Sequence, residues 1–390
     1  MGEYAGVWDA LTADELRGRG SVKWDHEHPE VLGAWVAEMD FGTAPAVLEA
    51  WQESARRFEF GYPSTALVSE MAEATVRWYS ERYGWEIDAA DVAPIADVIR
   101  GLELAITEFS APDAPVIVPT PAYMPFLFVP LELGREIVQV PFLRDSEGAF
   151  ALDLDRIDAE LEAGAGLVIL ANPGNPTGKV YSRDELVALA EVVDARGARV
   201  FSDEIHAPLT LFGNRHVPFA SVSDAAARVA ITATSTSKAW NLPGLKCAQL
   251  ILSADRDREV WQRIGMMASH GASTPGIRAN TAAYRDGAAW LDEVRAYIEQ
   301  NYTALREALA EKLPLARVAP LEGTYLCWLD LTAYPVVGDV AEVLLAEAKV
   351  RVNSGPAFGE VGDGHVRLNI ATSRVILLEI VDRMADALVS

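Results

Sequence analysis

Cysteine is almost absent: Cys247 and Cys327 are the two in 390 residues, which excludes a disulfide framework and agrees with a reducing compartment. Both are expected to be small, buried, apolar side chains. Positive charge is also scarce. Fifty-seven acidic residues face 33 basic ones, a formal net charge of −24, so the average surface repels nucleic acid and anionic membrane. An anionic ligand must therefore be caught by locally placed cations or backbone N–H groups. No run reaches the roughly 18 uninterrupted apolar residues needed to span a bilayer. The opening MGEYAGVWDALTADELRGRG has no basic start followed by an apolar stretch, so no secretory leader is expected. Fixed-period repeats, low-complexity tracts and basic DNA-binding extensions are missing. No His/Cys/Asp cluster has zinc-ligand spacing, so no metal site is expected, and GAGLVI lacks the third glycine of a dinucleotide fingerprint. The expectation from these absences is a soluble cytoplasmic protein.

Half of the residues are apolar, enough for one large domain with a sizeable core plus a smaller one. The middle of the chain alternates β-branched runs with amphipathic stretches, the pattern of a mostly parallel sheet covered by helices. The runs occupy residues 115–120, 135–142, 166–172, 198–204, 227–235 and 247–253. Between the third and fourth, Ser182 and Glu185 form a capping box for a helix that Gly197 would stop. From Ala289 the spacing predicts one long helix suited to connecting two domains. A strand in GTYLCWLDL, a helix near DVAEVLLAEA, a strand in VRLNIAT and a closing helix from Arg374 make a compact α+β tail. The expected division is an N-terminal segment (1–45) joining the small domain, a large domain (46–288), and the long helix with the small C-terminal domain (289–390). Trp8, Trp24, Trp35 and Trp51 are expected in the core or a subunit interface.

Parallel sheets bind ligands beyond the carboxyl ends of their strands, and three such ends carry unusual polar residues. One run leads into Asn175, another into Asp203, Glu204 and His206, and a third into Ser235, Ser237 and Lys238. A lysine in a partly apolar cleft has a destabilised charged form, which frees its amine to attack an aldehyde. Lys238 is that candidate. An aspartate opposite a pyridine nitrogen keeps the ring protonated as an electron sink, a role open to Asp203, and the Asn175 amide can donate to a phenolate oxygen. Phosphate donors are offered by Ser235, Ser237, Lys246 and the N-terminus of a helix expected to begin near Ile99 to Gly101, with Val98 and Ile99 as the candidate contacts in that turn.

Together NPGNPTG, SDEIH and STSKAWNLPGLK resemble the active-site motifs of the fold-type I pyridoxal-5'-phosphate (PLP) enzymes, the aspartate-aminotransferase superfamily. KWDHEHPEVLGAWVAEMDF, FEFGYPS, PAYMPF and NSGPAFGEVGDGHVRLNIATSR are similar to the MalY/PatB branch of cystathionine β-lyases, also called C–S lyases. The likeness runs from about Val22 to Arg374. It implies an aspartate-aminotransferase-like α/β large domain with a mostly parallel seven-stranded sheet, plus a smaller α+β domain. By position it makes Lys238 the Schiff-base lysine, Asp203 the pyridine partner and Asn175 the phenolate donor, also in contact with substrate. His206 becomes a cofactor contact where aminotransferases usually have tyrosine. Lys246 replaces a phosphate-binding arginine, Tyr123 stacks on the ring and assists catalysis beside Lys238, and Arg367 grips the substrate α-carboxylate. Tyr62 matches a tyrosine supplied by a neighbouring subunit, touching both cofactor and substrate, so a homodimer is implied. Asp97 and Arg100 depart from the family's phosphate turn.

The implied reaction is β-elimination from L-cystathionine or another S-substituted cysteine to a thiol, pyruvate and ammonia. The nearest alternative is a class I/II aminotransferase acting on an amino acid and a 2-oxo acid, since both reactions share the first proton abstraction. A scaffold that merely retains the fold would not need Lys238, Asp203 and Arg367 together.

Overall fold

The computed structural model describes residues 4–145 and 148–389. Seven strands form the main sheet: β1 (Val92–Ile95), β2 (Val116–Thr120), β3 (Ile137–Pro141), β4 (Leu167–Ala171), β5 (Arg199–Asp203), β6 (Ala230–Thr234) and β7 (Ala248–Ile251). Their order is β1-β7-β6-β5-β4-β2-β3. Only β7 runs antiparallel to its two neighbours. The apolar runs expected at six of these positions are present, because strands covered by helices on both faces read as continuous hydrophobic segments. β1 was not among them. Its sequence, VAPI, is short and contains proline, which the chain places at an edge of the sheet. The run at 227–235 also divides: Asp224–Val229 is helical and the strand begins at Ala230.

α1 (Val98–Thr107) follows β1 directly. Gly101 lets it lie close against the strands, since a Cβ there would sit 3.1 Å from both the Ala233 Cβ and Ile95 Cδ1. This fixes the N-terminus of α1 beside the strand ends. α2 (Arg183–Ala195) begins with the expected box, the Ser182 side chain accepting from the Glu185 N–H and Glu185 returning to the Ser182 N–H. Gly197 follows with φ +66°, a conformation that costs glycine little.

α3 (Ala288–Lys312) is the long helix, 25 residues. Beyond it lies a second sheet of β8 (Arg317–Val318), β9 (Leu326–Asp330), β10 (Asn353–Ser354) and β11 (His365–Asn369), in the order β8-β9-β11-β10, and α4 (Arg374–Val389) closes the chain. The N-terminal segment reaches this region through a parallel pair, Leu32 with Val350 and Gly33 with Arg351. Trp8 and Trp24 are buried, whereas Trp51 is 45% exposed. Cys247 and Cys327 are buried and free. No helix among the described residues is long and apolar enough to cross a membrane.

Candidate active site

The carboxyl ends of β4, β5 and β6 open on one cleft. It is lined by Asn175, Asp203, His206, Ser235, Ser237 and Lys238 from the strand ends, by Val98 and Ile99 at the start of α1, and by Tyr123 and Lys246. Ten of the twelve residues singled out from the sequence therefore share one cavity. Arg367 adjoins it, donating from Nη1 to Asn175 Oδ1 at 3.0 Å. Tyr62 lies elsewhere, 82% exposed, its ring 5.2 Å from that of His270.

Burial sets the charge state of the central groups. Lys238 Nζ donates to the Ala37 carbonyl at 2.9 Å, and burial, aided by the Arg367 charge, brings its pKa down to about 8. Asp203 is 6% exposed. Burial raises its carboxyl to about 7, against the opposing pull of the Ile205 N–H at 3.0 Å and of Lys238. His206 is held neutral: burial first, then Lys238 and Arg367, lower it to about 3. Its Nδ1 has no partner among the described residues. Tyr123 is pushed up by burial.

Arg367 is 2% exposed and packs over the Phe358 ring at 4.9 Å. Besides Asn175 it donates to the Trp35 carbonyl at 2.8 Å and to Asn353 Oδ1 at 2.7 Å, while its buried Nε lacks a partner among the described residues. A guanidinium so oriented, with an N–H to spare, suits a carboxylate.

The anion corner is built by α1. Asp97 is its N-cap, accepting from the Arg100 N–H at 2.9 Å, and the cap's other oxygen pairs with Lys246 at 2.7 Å. Arg100 turns away to Glu103. Ser235 Oγ donates to the Cys247 carbonyl at 2.7 Å and accepts from the Ser237 N–H. With an aldehyde-competent amine, a buried carboxyl within its electrostatic reach, the unpartnered His206 Nδ1 and a helix N-terminus in its lining, the cleft fits a phosphorylated pyridine aldehyde.

Several functional side chains were invisible from the sequence. Lys23, wholly buried, forms an ion pair with Asp40 at 2.9 Å, and Trp24 Nε1 donates to the other Asp40 oxygen at 2.8 Å. A Cβ on Gly33 would lie 2.0 Å from the Lys23 carbonyl, so this crossing needs glycine. Asn369 donates to the carbonyls of Val36 and Glu38 at 2.6 and 2.7 Å, and Tyr325 to that of Ala37 at 2.9 Å. These bonds fix the segment 34–40, whose own carbonyls receive Lys238 and Arg367. The motif KWD…EMD was the available signal, but its partners meet only through the fold. Glu204, beside Asp203, is likewise held by Tyr79, Ser202, His216 and the Phe219 N–H.

The model of the family "Aminotransferase class I and II" matches residues 32–384. The chain is 38% identical to cystathionine beta-lyase of Corynebacterium glutamicum over 96% of its own length and 98% of the relative's. It is 33% identical to cystathionine beta-lyase PatB of Bacillus subtilis, over 96% and 98%. Its fold matches the PLP-bound C–S lyase of Staphylococcus hominis with a TM-score of 0.89, at 28% identity, covering 98% of this chain and all of that one.

Proposed function

The chain belongs to the aminotransferase class I and II family, and within it we propose that it works as a PLP-dependent carbon–sulfur lyase, cleaving L-cystathionine or related S-substituted cysteines to a thiol, pyruvate and ammonia. The observation that carries the cofactor chemistry is the meeting of Asn175, Asp203 and Lys238 from three strand ends in one cleft, with Arg367 bonded to the first; the likeness to cystathionine beta-lyases supports elimination as its outcome.

Bound PLP supplies an aldehyde that condenses with amines and a ring that accepts electron density from the carbon beside the substrate nitrogen. The residues would divide the remaining work. Lys238 is the amine that would hold the cofactor, and its free amine would remove the proton from the substrate Cα. With its pKa near 8, a useful fraction is neutral at physiological pH. Asp203 would face the ring nitrogen and share its proton. Asn175 and neutral His206 would hold the cofactor's oxygen side, and Tyr123 would cover the ring. The N–H groups of Val98 and Ile99, with Ser235, Ser237 and Lys246, would hold the phosphate. Arg367 would take the α-carboxylate and so orient the Cα–H bond toward Lys238.

A homodimer would complete the site. Phe58, Phe60, Tyr62, Met266 and Met267 are all at least 68% exposed, and Tyr62 lies outside the cleft that holds Lys238. Pairing two copies through this apolar face would cover it and present Tyr62 to the neighbour. The domain division at residues 45 and 288, with the N-terminal segment belonging to the smaller domain, is supported by the Leu32–Gly33 pairing to Val350–Arg351. The two free, buried cysteines are in keeping with a cytoplasmic setting.

Incubating PLP-loaded protein with L-cystathionine, without any 2-oxo acid, is expected to release pyruvate. Absence of pyruvate, with amino transfer appearing once a 2-oxo acid is added, would replace the lyase by the aminotransferase.

A further inference from the structure

Arg367 has a neighbour of the same charge, Arg351, that forms no ion pair among the described residues. Val350 and Val352 are buried while Arg351 and Asn353 are half-buried, the alternation of an extended chain whose residues two apart project to one side. Asn353 is the residue whose Oδ1 accepts from Arg367 at 2.7 Å. Arg351 therefore leaves the backbone on the same side, one strand period or about 7 Å farther along.

Its guanidinium carbon lies 3.7 Å from the centroid of the Trp35 ring, and the carbonyl of that same tryptophan receives Arg367 at 2.8 Å. The two guanidiniums are thus tied to one strand segment and one tryptophan. Arg351 Nη1 also meets His26 Nε2 at 3.3 Å. Burial and the Arg351 charge hold His26 below its ordinary value, so this ring accepts a hydrogen bond without supplying a counter-charge. Among the described residues no carboxylate lies within ion-pair distance of Arg351, in a chain with 57 acids. Stacking on an indole fixes the guanidinium plane and leaves its edge donors free for a planar anion.

We propose that Arg351 is a specificity residue that receives a carboxylate at the far end of the S-substituent, so that the favoured substrates are cysteine thioethers whose departing thiol itself carries an acid group. This rests on the lyase reading: Arg367 takes the α-carboxylate, and the chain through sulfur carries the second carboxylate along the strand to Arg351.

The test compares two substrates on the PLP-loaded enzyme. L-Cystathionine has a distal carboxylate and S-propyl-L-cysteine has none; both yield pyruvate on β-elimination. In Arg351→Met the ratio of kcat/KM for cystathionine to that for S-propylcysteine is expected to fall about 10- to 100-fold, the scale of one charge-assisted hydrogen bond, with the loss carried by KM. Arg351→Lys should restore part of the ratio. An unchanged ratio, whether both activities fall together or neither falls, would overturn the proposal, because a purely structural role through Trp35 affects both substrates alike. Wild type that releases pyruvate from neither substrate would sink the lyase reading itself. Wild type active on both, with the ratio insensitive to residue 351, would sink only the role of Arg351.

Discussion

Replacing Lys23 by methionine removes one charge from a pair buried on both sides: Lys23 is 0% and Asp40 4% exposed, and they are 2.9 Å apart. Methionine fills much of the volume but leaves the Asp40 carboxylate with the Trp24 indole as its main remaining donor. Removing one partner of a buried pair costs about 3–5 kcal/mol, because an uncompensated charge stays inside. At about 2 °C per kcal/mol for a large chain, the Tm should fall by roughly 6–10 °C. Activity should fall further than stability accounts for. Asp40 ends the segment whose Ala37 and Trp35 carbonyls hold Lys238 and Arg367, and displacing a catalytic group by about 1 Å can cost on the order of 100-fold. Melting curves of the PLP-loaded protein and pyruvate kinetics at 25 °C would measure the two effects separately. The double variant Lys23→Met/Asp40→Leu should recover several degrees relative to Lys23→Met, since no charge is then stranded. A single variant that melts within about 2 °C of wild type, or a double variant no more stable than the single, would refute the reasoning.

Three further outcomes follow from the site. Lys238 has a folded pKa of about 8 against 10.5 in the unfolded chain, so the unfolded state binds more protons between these values. The cofactor-free protein should therefore gain up to about 3 kcal/mol as pH rises from 8 to 10.5, and urea midpoints at both pH values should lose that increment in Lys238→Met. Mixing inactive Lys238→Ala with inactive Tyr62→Ala under reversible dissociation should restore up to about a quarter of wild-type activity, since a mixed dimer contains one intact site; no recovery would place Tyr62 outside the partner's site. Asp97→Asn keeps the cap but frees Lys246 from its acid, and should tighten PLP binding about three- to tenfold in a fluorescence titration, whereas weaker binding would mean that the Asp97–Lys246 pair is what shapes the phosphate corner.

What was legible in the sequence follows the range of the interactions involved. The strands β2 to β7 and the boundaries of α2, α3 and α4 were readable because apolar runs, caps and helical periodicity are local. Lys238, Asp203 and Asn175 were readable because strand ends converge by topology once the sheet is recognised. The edge strand β1 was not, its four residues VAPI carrying too little pattern. Nor was the clamp on segment 34–40: Lys23 and Asp40 are 17 positions apart, Asn369 more than 300 from its acceptors, and an unpaired lysine in a sequence reads as surface. The pairing of Asp97 with Lys246 was hidden similarly, since two loops must fold before the acid finds a cation.

The acceptor that receives the Lys238 amine is a main-chain oxygen. No amino-acid replacement at position 37 can delete it, because every residue carries a main-chain carbonyl, and a neutral dipole holds an ammonium less firmly than a carboxylate would, so the lysine can depart without breaking an ion pair. Retuning this nucleophile therefore falls to its surroundings: the burial and the Arg367 charge that lower its pKa, and the bonds from Tyr325 and Asn369 that hold the Ala37 segment in place.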